Sequence, residues 1–97
     1  MTKSKAYQAD LIESLRDLRE AEAYLNAALE EEDPELFLLA LRNVAEAQGG
    51  VAQLAEKTKL NRESLYKMLS QRGNPELRSL DALLHALGFR LAVTAAR

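Results

Sequence analysis

Cysteine and tryptophan are absent from the chain, and histidine occurs once, as His85. Without cysteine, neither a disulfide framework nor a thiolate metal site can form. A lone imidazole, with no second histidine for company, reads as a surface or rim residue rather than a ligand or a catalyst. A Gly-rich phosphate loop is missing, as are paired carboxylates in an evident cleft, so no catalytic constellation is legible. The expectation is a protein that is not an enzyme and uses no cofactor or metal. No apolar run approaches the roughly 20 residues of a membrane span. The opening Met1-Thr2-Lys3-Ser4-Lys5-Ala6 lacks the long apolar stretch of a signal peptide, so a cytoplasmic, reducing location is expected.

What is present suits one small domain. Ninety-seven residues, 47% hydrophobic and 29% charged, can build a modest core without staples. The net charge of −2 hides an asymmetry. Residues 1–47 carry five Lys or Arg against eleven acids, net −6, whereas residues 48–97 carry eight against four, net +4. Two surfaces with two kinds of partner are expected: a polyanion for the positive half and a basic protein for the negative half.

Taken in order, the chain reads as helices. Leu11, Ile12, Leu15 and Leu18 follow helical spacing in a first helix from Tyr7 to about Arg16, with residues 1–6 frayed. A second helix, from about Arg19 to Glu31, puts Ala21, Tyr24, Leu25, Ala28 and Leu29 on one face. Glu30, Glu31, Glu32 and Asp33 crowd negative charge at its C-terminus, where the backbone dipole disfavours it. Solvation is the ordinary role of such a run, and it lacks the spacing of a calcium loop. Asp33 and Pro34 are start signals for a third helix, whose stripe is Phe37, Leu38, Leu41, Val44 and Ala45. Gly49-Gly50 stops it. A last helix covers about Glu76–Leu87 with Leu80, Leu83, Leu84 and Leu87 inward, and Gly88 is its left-handed terminator. Beyond it Phe89, Leu91 and Val93 alternate with Arg90, Ala92 and Thr94, which is strand spacing. A single strand in a helical chain has nothing to pair with, so residues 89–94 are assigned to dimerisation, with a strand added to another protein as the alternative.

The stretch from Gln53 to Leu69 is the most informative. Leu54 and Ala55 give a short helix a small buried face, Leu60 plugs a tight turn, and Asn61 caps a second helix carrying Leu65, Met68 and Leu69 inward. The other face presents Arg62, Glu63, Tyr66 and Lys67, long polar side chains able to reach base edges in a major groove. An ordinary helical hairpin with a solvated face explains the charges alone. The small residue, the apolar plug and the cap together favour a DNA-reading helix-turn-helix. In the following loop, Arg72, the Gly73 amide and Asn74 are placed to meet backbone phosphate.

Gln53-Leu54-Ala55, Thr58, Leu60, Ser64-Leu65-Tyr66-Lys67, Gly73-Asn74-Pro75 and Ala86-Leu87-Gly88-Phe89-Arg90-Leu91 resemble the probable addiction-module antidote proteins. So do Ala23-Tyr24-Leu25-Asn26-Ala27-Ala28-Leu29-Glu30 and Asp33-Pro34-Glu35-Leu36-Phe37 upstream, and the resemblance runs from about Leu15 to Val93. These are small bacterial antitoxins of the lambda-repressor-like (Cro/C1) class. The resemblance implies an all-α fold of five to six helices with a short C-terminal β-strand. Residues 1–48 would form acidic helices, 49–88 the helix-turn-helix region and 89–94 the strand. It also implies a co-encoded RelE-superfamily toxin that cuts mRNA, neutralised by direct binding, and repression of the shared operon by a homodimer on double-stranded operator DNA. By the repressor pattern, Arg62, Glu63 and Lys67 read base edges. Gln53, Asn61, Ser64, Tyr66, Arg72 and Asn74 hold phosphate or register, with capping or solvent-facing roles as their alternatives. Glu63 equally suits an i,i+4 pair with Lys67. Glu30, Glu31, Glu32 and Glu35 are the candidate toxin-facing residues, and Phe89, Leu91 and Val93 the candidate dimer residues. One departure stands out: repressors of this class usually place Gly where this chain has Lys59. A left-handed Lys costs about 1 kcal/mol, which favours a reshaped turn. The alternative functions are a stand-alone phage-type transcriptional regulator, and an interaction module that has lost DNA affinity.

Overall fold

The computed structural model describes residues 2–70 and 72–96; Met1, read above as part of a frayed end, Gln71, in the loop after Leu69, and Arg97 lie outside the described residues. Among the described residues six helices follow one another: α1 (Thr2–Ser14), α2 (Leu18–Glu30), α3 (Pro34–Ala47), α4 (Val51–Thr58), α5 (Arg62–Met68) and α6 (Leu77–Ala86). One core runs through them, from Leu15 and Leu25 through Leu41 and Val44 to Leu54, Leu65, Leu69 and Leu83. Burying each of these leucines contributes about 1.5–3 kcal/mol.

The N-terminal three helices are tied by caps and by a short polar chain. The first helix begins at Thr2 rather than Tyr7 and ends at Ser14, two residues earlier than its spacing suggested. The break that follows needs neither Gly nor Pro, because Asp17 is the N-cap of α2 and its carboxylate accepts the Arg19 N–H at 2.8 Å. The Gln48 side chain donates to the carbonyls of Leu15 and Arg16 at 3.2 and 3.3 Å, closing off the end of α1 from thirty-odd residues away. Asn43 on α3 is the one buried polar residue among those described; it donates to the Tyr24 hydroxyl at 2.8 Å and accepts from Gln8 at 3.2 Å. Leu29, expected inward, is 53% exposed, because it sits one position past the buried line of Ala21, Leu25 and Ala28. Leu18, read as part of the first helix, opens α2 and is also largely exposed.

Glycines end two helices in the same way. The Gly49 N–H donates to the Glu46 carbonyl and the Gly50 N–H to Ala45, with Gly49 at φ +111. At the end of α6 the Gly88 N–H donates to His85 and the Phe89 N–H to Leu84 at 2.7 Å, with Gly88 at φ +97. These are paired C-terminal bonds of the Schellman type, which satisfy carbonyls that no further turn would reach.

That second cap overturns the C-terminal β-strand. Among the described residues 89–96 carry no strand. Phe89 spends its N–H on α6 and packs partly buried against the core, while Leu91 and Val93 are exposed. The alternating pattern is real, but within one chain it has no neighbouring strand to complete a ladder.

Candidate nucleic-acid interface

Lys59, Leu60 and Asn61 join α4 to α5. Lys59 adopts the left-handed conformation at φ 62, ψ 14, and its N–H donates to Ala55, so the turn is kept and not reshaped by the missing glycine. Thr58 helps hold it: the hydroxyl donates to the Leu54 carbonyl at 2.7 Å and accepts the Leu60 N–H at 3.2 Å. Leu60 is half-buried against the core, as a plug should be. Asn61 caps α5, its side-chain oxygen accepting the Ser64 N–H at 2.7 Å.

Only one face of α5 is spent on folding. Leu65, Met68 and Leu69 are buried, whereas Arg62, Glu63, Ser64, Tyr66 and Lys67 are exposed. With about 100° of rotation per residue, the direction opposite the buried three runs through Glu63 and Lys67. Arg62 and Tyr66 flank them on one side and Ser64 on the other. Among the described residues Arg16 pairs with Glu13 and His85 Nε2 lies 3.6 Å from Asp81, whereas Glu63 and Lys67 are not paired despite their i,i+4 spacing.

Four of the nine residues assigned to nucleic acid come together. Ser64 and Lys67 from α5 and Arg72 and Asn74 from the loop line one groove, to which α6 contributes Ser79. Gly73 makes this possible: a Cβ there would collide with the Met68 carbonyl oxygen, so only glycine lets the loop lie against the end of α5. The other five are placed differently. Arg62, Glu63 and Tyr66 stand outside the groove on the open face of α5, and the Asn61 side chain is engaged in capping. Gln53 is exposed on α4, with its amide folded against Gly49. Ser70 and Ser79 line the groove unanticipated, and serine in a loop or a first helical turn carries no signal that would have singled them out.

The second candidate surface lies at the α2–α3 connection. Glu30, Glu31, Glu32 and Glu35 are all exposed, and none of them forms an ion pair among the described residues. Glu32 is left-handed at φ 55, and Asp33 caps α3 by accepting the Glu35 N–H at 3.0 Å. Among the described residues no group of His, Cys, Asp and Glu is arranged to hold a metal ion, and no helix is long and apolar enough to cross a membrane.

The result is a small helical domain with one cationic outward helix and one acidic corner. Residues 5–95 match the family model described as probable addiction module antidote protein, and the chain belongs to that family. It is similar to a protein of Haemophilus influenzae (strain ATCC 51907 / DSM 11121 / KW20 / Rd) described as uncharacterized: 36% identical over 88 residues, spanning 91% of this chain and 90% of that one. No solved structure matches the chain. An antidote implies a toxin of some kind as its partner.

Proposed function

We propose that this protein is a DNA-binding antitoxin. It neutralises a co-encoded toxin of the RelE superfamily by direct binding and represses the operon that encodes both. The observation that carries the DNA half is α5: a short helix anchored by Leu65, Met68 and Leu69, whose exposed side offers Arg62, Tyr66 and Lys67 beside a groove holding Arg72 and Asn74. With α4 and the Lys59–Asn61 turn it acts as a helix-turn-helix of the lambda-repressor-like class, α5 entering the major groove while the loop holds phosphate. The acidic corner at Glu30, Glu31, Glu32 and Glu35 supports the toxin half, since an RNA-cutting protein is expected to be basic. Repressors of this kind work as dimers on two half-sites, so the working form is a homodimer.

Two measurements test the proposal together. Expressed with the product of the neighbouring reading frame, the protein should co-purify with it and abolish its effect on translation. On a fragment of its own promoter it should shift mobility in a salt-sensitive manner. Promoter binding with no toxin-like neighbour would identify a stand-alone regulator instead. Toxin capture without promoter binding would identify an interaction module.

A further inference from the structure

The two outermost positions of α5 hold opposite charges that ignore each other. Glu63 and Lys67 lie i,i+4, a spacing at which Glu and Lys commonly pair, yet no ion pair joins them. Glu63 is thereby left exposed and without a cation, on the half of the chain where Lys and Arg outnumber acids eight to four. On a surface meant only for phosphate, an unpaired carboxylate at the crest repels the ligand. As an acid in the first turn it does favour α5 through the backbone dipole. That benefit has no bearing on which base lies opposite.

We propose that Glu63 sets the sequence specificity of this interface by accepting a hydrogen bond from the exocyclic N4 amine of a cytosine in the major groove, while Lys67 donates to a guanine close by. The assignment rests on the reading of α5 as the DNA-entering helix. Cytosine presents an amine donor at the groove edge, and thymine presents a carbonyl oxygen in the same place. A carboxylate can only accept, so it welcomes the first and is repelled by the second. Four residues of helix advance about 6 Å, close to two base steps of about 3.4 Å each. The half-site therefore carries the cytosine and the guanine within about two base pairs of each other. Glu63 has a second effect of the same origin. It weakens binding wherever no amine donor meets it, which lowers affinity for unrelated duplex and widens the gap between operator and bulk DNA.

The test is selection of random duplexes by the full-length protein and by its Glu63→Gln variant, read as base preference at each position. Titration on the selected operator, and on one whose cytosine pair is changed to T·A, completes it. The wild type should prefer cytosine over thymine at one position by about tenfold. Glu63→Gln, whose amide both donates and accepts, should tolerate either base there, keep its preferences elsewhere, and bind unrelated duplex more tightly. The T·A operator should weaken the wild type and leave the variant unaffected. An unchanged base preference in Glu63→Gln overturns the assignment of Glu63 while leaving α5 as the reading helix; loss of thermal stability with that preference intact would mark the residue as purely structural. If the wild type selects no sequence at all, the DNA reading itself fails and takes this assignment with it.

Discussion

The side-chain amide of Asn43 donates to the Tyr24 hydroxyl at 2.8 Å, across the pair formed by α2 and α3. The oxygen of the same amide accepts from Gln8 at 3.2 Å, so one buried residue on α3 holds both preceding helices in register. Tyr24→Phe removes the acceptor and leaves a buried donor unmet. The expected cost is about 1–2 kcal/mol, read as a fall in the melting temperature of about 4–8 °C per kcal/mol for a domain of this size. Tyr24→Phe combined with Asn43→Leu removes both ends and should recover much of the loss. Circular dichroism melts of the three proteins settle it, and an unmoved midpoint in Tyr24→Phe would show that the bond carries no stability.

Among the described residues two that are not glycine sit in the left-handed region, Glu32 at φ 55 and Lys59 at φ 62. The conformation costs an L-residue about 1–2 kcal/mol, and glycine gives back about 0.5–1 of that through its floppier unfolded chain. Lys59→Gly and Glu32→Gly should each stabilise by about 0.5–1 kcal/mol, and the two should add, since they lie in separate turns. Urea midpoints report both. A Lys59→Gly protein less stable than the parent would mean that the lysine side chain makes up its strain by contacts elsewhere.

How much of this was readable beforehand depended on whether the signal was local. Asp33-Pro34, Gly49-Gly50, Asn61 and Gly88 each do in the structure what their local chemistry dictates, because a cap needs only a few neighbouring residues. The break before α2 was equally local, with Asp17 followed three residues later by Glu20, but it was obscured by an apolar spacing that runs straight through to Leu18. The Gln48 and Asn43 bonds join segments more than thirty residues apart at one end, and no pattern in one sequence announces such a partner. The tail shows the converse. Period-two spacing at Phe89, Leu91 and Val93 describes a preference for extended chain, whereas a strand is a property of two segments. Of the site, the exposed face of α5 followed directly from which residues α5 buries. The groove did not, since it exists only because Gly73 brings Arg72 and Asn74 back against α5.

Arg62 and Gly73 test the two parts of the proposed DNA surface separately. Arg62 stands on the open face of α5, so Arg62→Ala should lose about 1–3 kcal/mol on operator DNA if it reads a guanine, with the fold intact. Gly73→Ala forces the loop away from the Met68 carbonyl and displaces Arg72 and Asn74 together. It should weaken operator and unrelated duplex alike and flatten the salt dependence, since each lost phosphate contact removes about 0.9 from the log–log slope. Titrations at several salt concentrations distinguish the two. Identical behaviour of the variants would merge them into one site.

Reversing Glu30, Glu31, Glu32 and Glu35 to Lys tests the acidic corner. All four are exposed and unpaired among the described residues, so the fold should tolerate the change. Against a basic toxin the substitutions should slow association by one or two decades and reverse its salt dependence, while dissociation changes less. Stopped-flow or surface binding at two ionic strengths supplies both rates. A purely dissociative defect would place the toxin contact on apolar side chains and not on this charge field.

The tail bears on assembly. Phe89 is committed to the end of α6, which leaves Leu91 at 42% and Val93 at 98% exposure in the single chain. Isolated apolar side chains at a surface are ordinary. Two of them on one short segment beyond the last helix are better explained by contact with a second copy, brought together by the two-fold axis that would set two α5 helices about 34 Å apart on DNA. Leu91→Asp with Val93→Asp puts like charges on both sides of that axis while touching nothing in the core. The double variant should sediment as a monomer at micromolar concentration and keep its helical spectrum. Its operator affinity should drop steeply, because each half-site is then bound alone and the gain from simultaneous engagement disappears. A variant that stays dimeric moves the interface elsewhere, and the exposed Leu77 at the start of α6 becomes the place to look.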